Sequence, residues 1–389
     1  METRLGTLHG IRVLDLGRLL PGPFATLILA DLGARVDKIE EPGTGDYLRA
    51  QPPLVGDTSA IFLALNRNKR SVCLDLKTER GRAAMLRLVE RADVVVDQFR
   101  PGVLDRLGLG HATLRASNPR LIVCALTGYG QDGPLASRAG HDINYLARSG
   151  VLGMQGPPGS PPQVPAVQIA DMGSALWSVV GILAALHERA RSGTGRVIDV
   201  SMTESSMAFA LAGFGALLGG HPPARGAEPL TGGLAVYGTY TTRDGRFVSL
   251  GALEPKFWAS FCAGVGVDFD HQALFPGPHQ EALRERLRAV FAARTRVEWE
   301  AFARGHDSCL EPVLEPDELL SDEHLGARGA FFEMDSPWGR IRQLRTPLTP
   351  RDAQHVPPPR RGQHTDEILR EAGVDDATIA AMRAEGSAA

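Results

Sequence analysis

Short β-branched runs alternate with helical patterns through the first half of the chain, and that alternation leaves few folds open. Ile11-Arg12-Val13-Leu14-Asp15-Leu16 reads as a buried strand. After the Pro21-Gly22-Pro23 turn, Phe24 to Leu32 reads as a helix closed by Gly33. Residues 35–40 form the next strand pattern, 79–91 a further helix, and 93–97 and 121–126 two more strands. The rhythm predicts a mostly parallel sheet flanked by helices. No G-x-G-x-x-G follows the first strand, so a dinucleotide fingerprint is absent.

From Ala170 to about Arg191 the apolar content predicts a fully buried helix, with Arg189, Arg191 and Gly193 as its stop signal. A strand at 197–200 and an apolar helix from Thr203 to Leu218 follow. Gly219 to Gly226 reads as a linker, and the 389-residue length suits two domains. Tyr237 to Leu250 reads as a β-hairpin turning at Asp244-Gly245. Helices fill much of 255–321, and a Pro-rich stretch from Thr346 to Pro359 leads to a last short helix near 366–372.

A formal charge of −3 argues against bulk nucleic-acid binding, because no basic excess exists to displace counterions. Cys73, Cys124, Cys262 and Cys309 lie far apart without a CxxC pair, which points to reduced thiols rather than zinc or disulfides. The start, Met1 to Gly10, lacks the apolar core of a signal peptide, and no window is expected to reach the length of a membrane span. A soluble, cytoplasmic protein is expected.

His141 stands in Ala139-Gly140-His141-Asp142-Ile143-Asn144-Tyr145, between a Gly/Pro/Ser-rich loop and an apolar stretch where a helix begins. Asp142 beside it has the character of a capping residue. Asp171 opens the second apolar helix, where capping also explains it; among apolar neighbours such a carboxylate gains a raised pKa and becomes a better base. Glu254 precedes a helix whose first residue is Pro255, and reads either as a loop carboxylate or as an orienting partner for an imidazole. Asn66-Arg67-Asn68-Lys69-Arg70-Ser71 and Gln98-Phe99-Arg100-Pro101-Gly102 supply cations, either solvated or gripping the phosphates of a nucleotide-like ligand.

Taken together, these segments resemble the class III CoA-transferase superfamily of the CaiB/BaiF type, and within it the α-methylacyl-CoA racemases. Pro21-Gly22-Pro23, Leu29 to Ala34, Asn66 to Ser71, Leu74-Asp75-Leu76-Lys77, Arg100 to Val103 and Thr127 to Pro134 are similar to superfamily motifs. Gly140 to Ala147 is similar to the racemase motif, whereas typical transferases have no histidine there. Asp171 matches a base in racemases and the nucleophile in transferases; Glu254 matches the glutamate that pairs with the racemase histidine. Racemases commonly carry an arginine just before the position of Pro42, where this chain has Glu41.

The resemblance implies an interlocked homodimer. Its large α/β domain, an open, mostly parallel Rossmann-like sheet, would span 1–220 and 335–389, with a smaller α+β domain over 221–334. The implied site joins His141 and Asp171 to Glu254 of the partner subunit. Coenzyme A, as part of an acyl-CoA substrate, would lie along Leu74, Asp75, Leu76, Arg100, Gly140, Asp142 and Tyr145. Neither a metal nor a prosthetic group is implied. The preferred expectation is epimerisation of a 2-methyl-branched acyl-CoA by 1,1-proton transfer. The alternative is a CoA-transferase forming an aspartyl anhydride at Asp171, and a non-enzymatic acyl-CoA-binding scaffold is a third reading.

Overall fold

A computed structural model describes residues 6–389, so the first five residues of the amino-terminal run read above lie outside the described residues. The chain divides into two compact units. The first takes residues up to Ser149, Val167–Phe209 and Glu323–Ala389; the second takes Gly150–Ala166 and Ala210–Asp322. Residues 150–166, assigned by sequence to the large domain, thus group with the second unit, and the first unit resumes at Glu323 rather than at 335.

The first unit is built on β1 (Arg12–Asp15), α1 (Pro21–Asp31), β2 (Arg35–Glu40), β3 (Lys69–Cys73), α2 (Glu79–Val89), β4 (Val94–Asp97) and β5 (Ile122–Thr127). It continues with α3 (Asp142–Arg148), α4 (Ile169–Ser192), β6 (Val197–Ser201) and α5 (Met202–Phe209). The six strands form one parallel sheet in the order β3-β2-β1-β4-β5-β6. The order reverses between β1 and β4, and the crevice outside the strand ends at such a point is where open α/β sheets place ligands. Val94, Val95 and Val96 are wholly buried, as a strand covered on both faces requires.

The second unit contains α6 (Leu211–Leu218), β7 (Tyr237–Thr241), β8 (Phe247–Gly251), α7 (Pro255–Val265), α8 (His279–Ala292), α9 (Arg296–Gly305) and β9 (Leu310–Pro312). β7 and β8 pair antiparallel around the expected Asp244-Gly245 turn, where Gly245 takes a left-handed φ of 72°. Trp258, Phe261, Phe291 and Trp299 form its aromatic core. After the second unit the chain returns to the first, through an antiparallel hairpin over Phe331–Ser336 and Gly339–Leu344 and then α10 (Thr365–Glu371) and α11 (Asp376–Ala384). The last of these helices was not anticipated.

Several expectations need correction. Pro21-Gly22-Pro23 is the first turn of α1, not a turn before it; proline suits the first helical position because its missing N–H would be unsatisfied there anyway. The apolar stretch from Thr203 breaks at Ala210 into α5 and α6. The cations of 67–70 are internal ties, not a ligand grip. Arg67 is 1% exposed and bonds the Asp31 carboxylate at 2.6 Å. Lys69 reaches Asp15 at 3.2 Å together with the Pro23 carbonyl and Asn66 Oδ1. Arg70 pairs with Asp37 at 2.8 Å and with Glu367. Burial made pairing compulsory, since an unpaired charge there would be prohibitive.

α4 also differs from expectation. By length and composition alone it is long and apolar enough to cross a membrane, contrary to the reading that no window reaches that size; the core helix of a soluble protein meets the same measure. It is not fully buried either. Its small side (Ala170, Gly173, Ser174, Ala175, Ser178) is inaccessible, and α4 packs on α1, β5 and β6. A Cβ at Gly173 would stand 2.3 Å from the Phe209 ring, so only glycine permits that approach. Leu176, Trp177, Val180 and Leu183 instead lie on an accessible face, Val180 at 55%.

Removing the Asp31 carboxylate tests the internal ties. Asp31→Leu leaves the buried Arg67 guanidinium with the neutral oxygens of Gln343 and Leu344 but no counter-charge, and the expected loss is roughly 3–5 kcal/mol. It is read as a lower urea midpoint with unchanged m; a midpoint equal to wild type would refute the assignment.

Candidate active site

The switch point of the sheet holds a cavity of about 190 Å³. Leu19 and Pro21 from beyond β1, Gln98, Arg100 and Pro101 from beyond β4, and Thr127 and Gly128 at the end of β5 form its walls. Gly140, His141, Tyr145 and Asp171 also line it. Two candidate catalytic groups 30 positions apart in sequence therefore face one small space.

The join between them is the Asp142 carboxylate. His141 is the N-cap of α3 in extended backbone (φ −124°, ψ 174°), and Asp142 is the first helical residue. Rather than capping its own helix, Asp142 turns to α4: its Oδ1 accepts the N–H groups of Ala170 at 2.7 Å and Asp171 at 3.1 Å. These are two of the donors that a helix start leaves without partners. Asp171 consequently lies in the first turn of α4, three residues past the N-cap Gln168, and is not itself the cap. That frees its side chain for chemistry.

Burial pushes the Asp171 carboxyl up to about 7, and the neighbouring negative charge of Asp142 pushes the same way. Burial also raises Asp142, against the pull of its two N–H donors. The Tyr145 hydroxyl rises to about 12, through burial and then the nearby charge of Asp171. A carboxyl titrating near neutrality can take up and deliver a proton with comparable ease, which is what a reversible acid–base catalyst needs.

The remaining candidates fall in different places. Leu74, Asp75 and Leu76 line a second cavity of about 330 Å³ in the same unit, with Leu16, Arg18, Tyr47, Phe99 and Lys77. Arg18 stacks over Tyr47 (5.0 Å) and Phe99 (5.2 Å) and donates to the Tyr47 hydroxyl at 3.0 Å. Glu41 faces this cavity beside Lys77, at 3.7 Å. Arg100, Gly140 and Tyr145 belong to the first cavity, but the Tyr145 hydroxyl is already committed to the Gly140 carbonyl at 2.6 Å. Asp142 stands behind the wall, its carboxylate bonded to the α4 backbone. Glu254 belongs to the second unit, exposed at the N-cap of α7, directly before Pro255.

Sequence reasoning gave no role to several residues. Gln98 Oε1 accepts N–H groups of both Arg18 and Gly22, at 3.1 Å each, and so ties the β1 loop to the β4 loop. Leu19 sits in the left-handed region (φ 61°), held by Asp46, which accepts its N–H at 3.1 Å. Nothing in a Leu-Leu pair announces that conformation. Arg138 lines the cavity from the Gly/Pro/Ser loop, where one exposed cation looks like any other. Among the described residues no group of three or more His, Cys, Asp or Glu is placed to hold a metal ion.

The pattern of CoA-transferase family III matches residues 8–365. The chain is 38% identical to α-methylacyl-CoA racemase of Mus musculus, covering 97% of this chain and 96% of the relative. It is 33% identical to succinyl-CoA:glutarate CoA-transferase of Mus musculus, over 94% and 86% of the two chains. Among solved structures, a CaiB/BaiF family protein from Brucella suis superimposes with a TM-score of 0.81 at 32% identity, covering 94% of this chain and 99% of that one.

The raised Asp171 carboxyl has a measurable sign. Its pKa is about 7 in the fold against an ordinary 3.8, so the folded state holds the proton more tightly. Stability is therefore lost as pH climbs from the ordinary value through about 7. Asp171→Asn removes this penalty: Tm at pH 8 is expected to exceed wild type by on the order of 2 °C, with the advantage vanishing near pH 4. An advantage independent of pH would contradict the buried, proton-retaining carboxyl.

Proposed function

The chain belongs to CoA-transferase family III, and from that premise we propose that it epimerises the α-carbon of a 2-methyl-branched acyl-CoA. The observation that carries this reading is His141 and Asp171 on one cavity, with Asp171 titrating near neutrality. The thioester acidifies the Cα–H. His141 takes that proton, the C–H electron pair moves into the thioester carbonyl, and an enolate forms. The Asp142 N–H, at the start of α3, holds the enolate oxygen. Protonated Asp171 then delivers its proton to the opposite face of Cα, leaving imidazolium and carboxylate to re-equilibrate with solvent. In reverse, the two groups exchange roles.

Acid–base catalysis of this kind contributes about 10²–10⁴-fold, and an oxyanion donor adds on the order of 3 kcal/mol. Glu254 of the partner subunit would hold the His141 tautomer, within an interlocked homodimer. The accessible apolar ridge of α4, with Leu176, Trp177, Val180 and Leu183, supports such an assembly, because exposed apolar surface of this kind calls for a cover. The nucleotide end of the substrate is assigned to the cavity of Leu74, Asp75 and Leu76, and the thioester end to the space between Arg100, Gly140 and Tyr145. The setting is the cytoplasm, where the buried thiols of Cys73, Cys124 and Cys262 stay reduced.

A second reading is favoured by the relatives named as transferases: Asp171 attacks an acyl-CoA, forming an aspartyl anhydride and releasing CoA thiolate. The thiolate attacks the aspartyl carbonyl and expels the donor acid. The acceptor carboxylate then displaces CoA thiolate from the aspartyl thioester, and the thiolate takes the acceptor acyl group from this second anhydride, freeing Asp171. This reading leaves His141 without work at the reacting carbon. It also asks a carboxyl half-protonated near pH 7 to serve as the nucleophile.

Incubation of a 2-methylacyl-CoA in D₂O separates the two. Deuterium is expected at Cα, with the rate falling about 10²-fold or more in His141→Ala. CoA transfer to an added carboxylate without deuterium uptake would install the transferase instead. Sedimentation of the purified chain is expected to give twice the monomer mass; a monomer would remove the shared site.

A further inference from the structure

We propose that Asn144 and Tyr145 are positioning residues that lock the Gly140–His141 peptide from both edges and thereby aim the His141 imidazole. The inference rests on the proton-transfer reading of His141. In a trans peptide the C=O and N–H point in opposite directions from one rigid plane. Here the Gly140 carbonyl accepts the Tyr145 hydroxyl at 2.6 Å, while the His141 N–H donates to Asn144 Oδ1 at 3.0 Å. Rotating the plane about its Cα–Cα axis breaks both bonds at once. The exposed His141 side chain is carried on the end of a Gly/Pro/Ser-rich loop, and this plane sets the direction in which its Cα–Cβ bond leaves the backbone.

The lock is held in a slot shaped for it. The Tyr145 ring is 7% exposed and meets the Tyr129 ring edge-on at 5.2 Å. A Cβ at Gly128 would come within 2.2 Å of the Tyr145 ring, and one at Gly140 within 2.7 Å, so both glycines are needed for it to enter. With its hydroxyl pushed up to about 12, Tyr145 remains a donor across the whole working range. Gly140, His141, Asn144 and Tyr145 thus form one device, in which a helix's third and fourth residues fix the peptide that begins it.

The test uses full-length Tyr145→Phe, which keeps the ring in its slot and removes only the hydroxyl, and Asn144→Ala. Two readouts are taken on each. The first is hydrogen exchange of the His141 amide by mass spectrometry, expected to accelerate in both variants at unchanged global Tm. The second is Cα deuterium uptake from D₂O by each epimer of a 2-methylacyl-CoA separately. Uptake by the epimer whose proton goes to His141 is expected to fall about tenfold in kcat. Uptake by the epimer whose proton goes to Asp171 is expected to fall less, since that carboxyl rides on α4, so the ratio of the two rates shifts about fivefold.

Equal losses for the two epimers would mean a merely structural role and overturn the proposal. If wild type exchanges neither epimer, the proton-transfer reading fails on its own. The His141 amide then still decides the lock: no acceleration in either variant refutes it.

Discussion

A carboxylate that caps a helix other than its own is the interaction on which the site depends. By giving its oxygen to the Ala170 and Asp171 N–H groups, Asp142 fastens the beginning of α4 to the beginning of α3. Two side chains that sequence separates by 30 positions thereby share one cavity wall. The same carboxylate has an electrostatic effect, since its negative charge adds to burial in keeping Asp171 protonated to higher pH. Geometry and proton affinity thus come from one carboxylate that faces the α4 backbone.

Beneath that site the sheet is stitched by buried ions. Lys38 and Lys69 are inaccessible; Lys38 bonds Asp46 at 2.9 Å and the Gly17 carbonyl at 2.7 Å, and Lys69 bonds Asp15. Asp46 and Gly17 belong to the segments that hold the loop after β1, including left-handed Leu19. Such pairs are costly to desolvate and are weak sources of net stability. Their service here is register: each polar group has one place to go, and the loop that walls both cavities is set by where they go.

Much of the first unit was legible because β-branched runs with helical spacing between them admit few other folds. The hairpin at Asp244-Gly245 was legible from turn chemistry, and His141 and Glu254 at helix starts from their loop and proline neighbours. The rest was hidden for identifiable reasons. Lys69 and Arg70 made the start of β3 read as a run of solvated or ligand-gripping cations, since periodicity cannot show that Asp15 and Asp37 wait inside. Asp142 looked like a cap for its own helix, and only three-dimensional proximity redirects it to α4. An apolar helix of 24 residues gave no sign of which side would stay uncovered. Gln98 and Arg138 carried no pattern at all.

The tight seating of α4 has a further consequence. Gly173 is pressed against the Phe209 ring and serines and alanines are buried against its neighbours, so the helix is closely seated and carries Asp171 on its first turn. A change among the residues facing that carboxyl would alter the chemistry of the cavity while leaving the packing of the helix that carries it untouched.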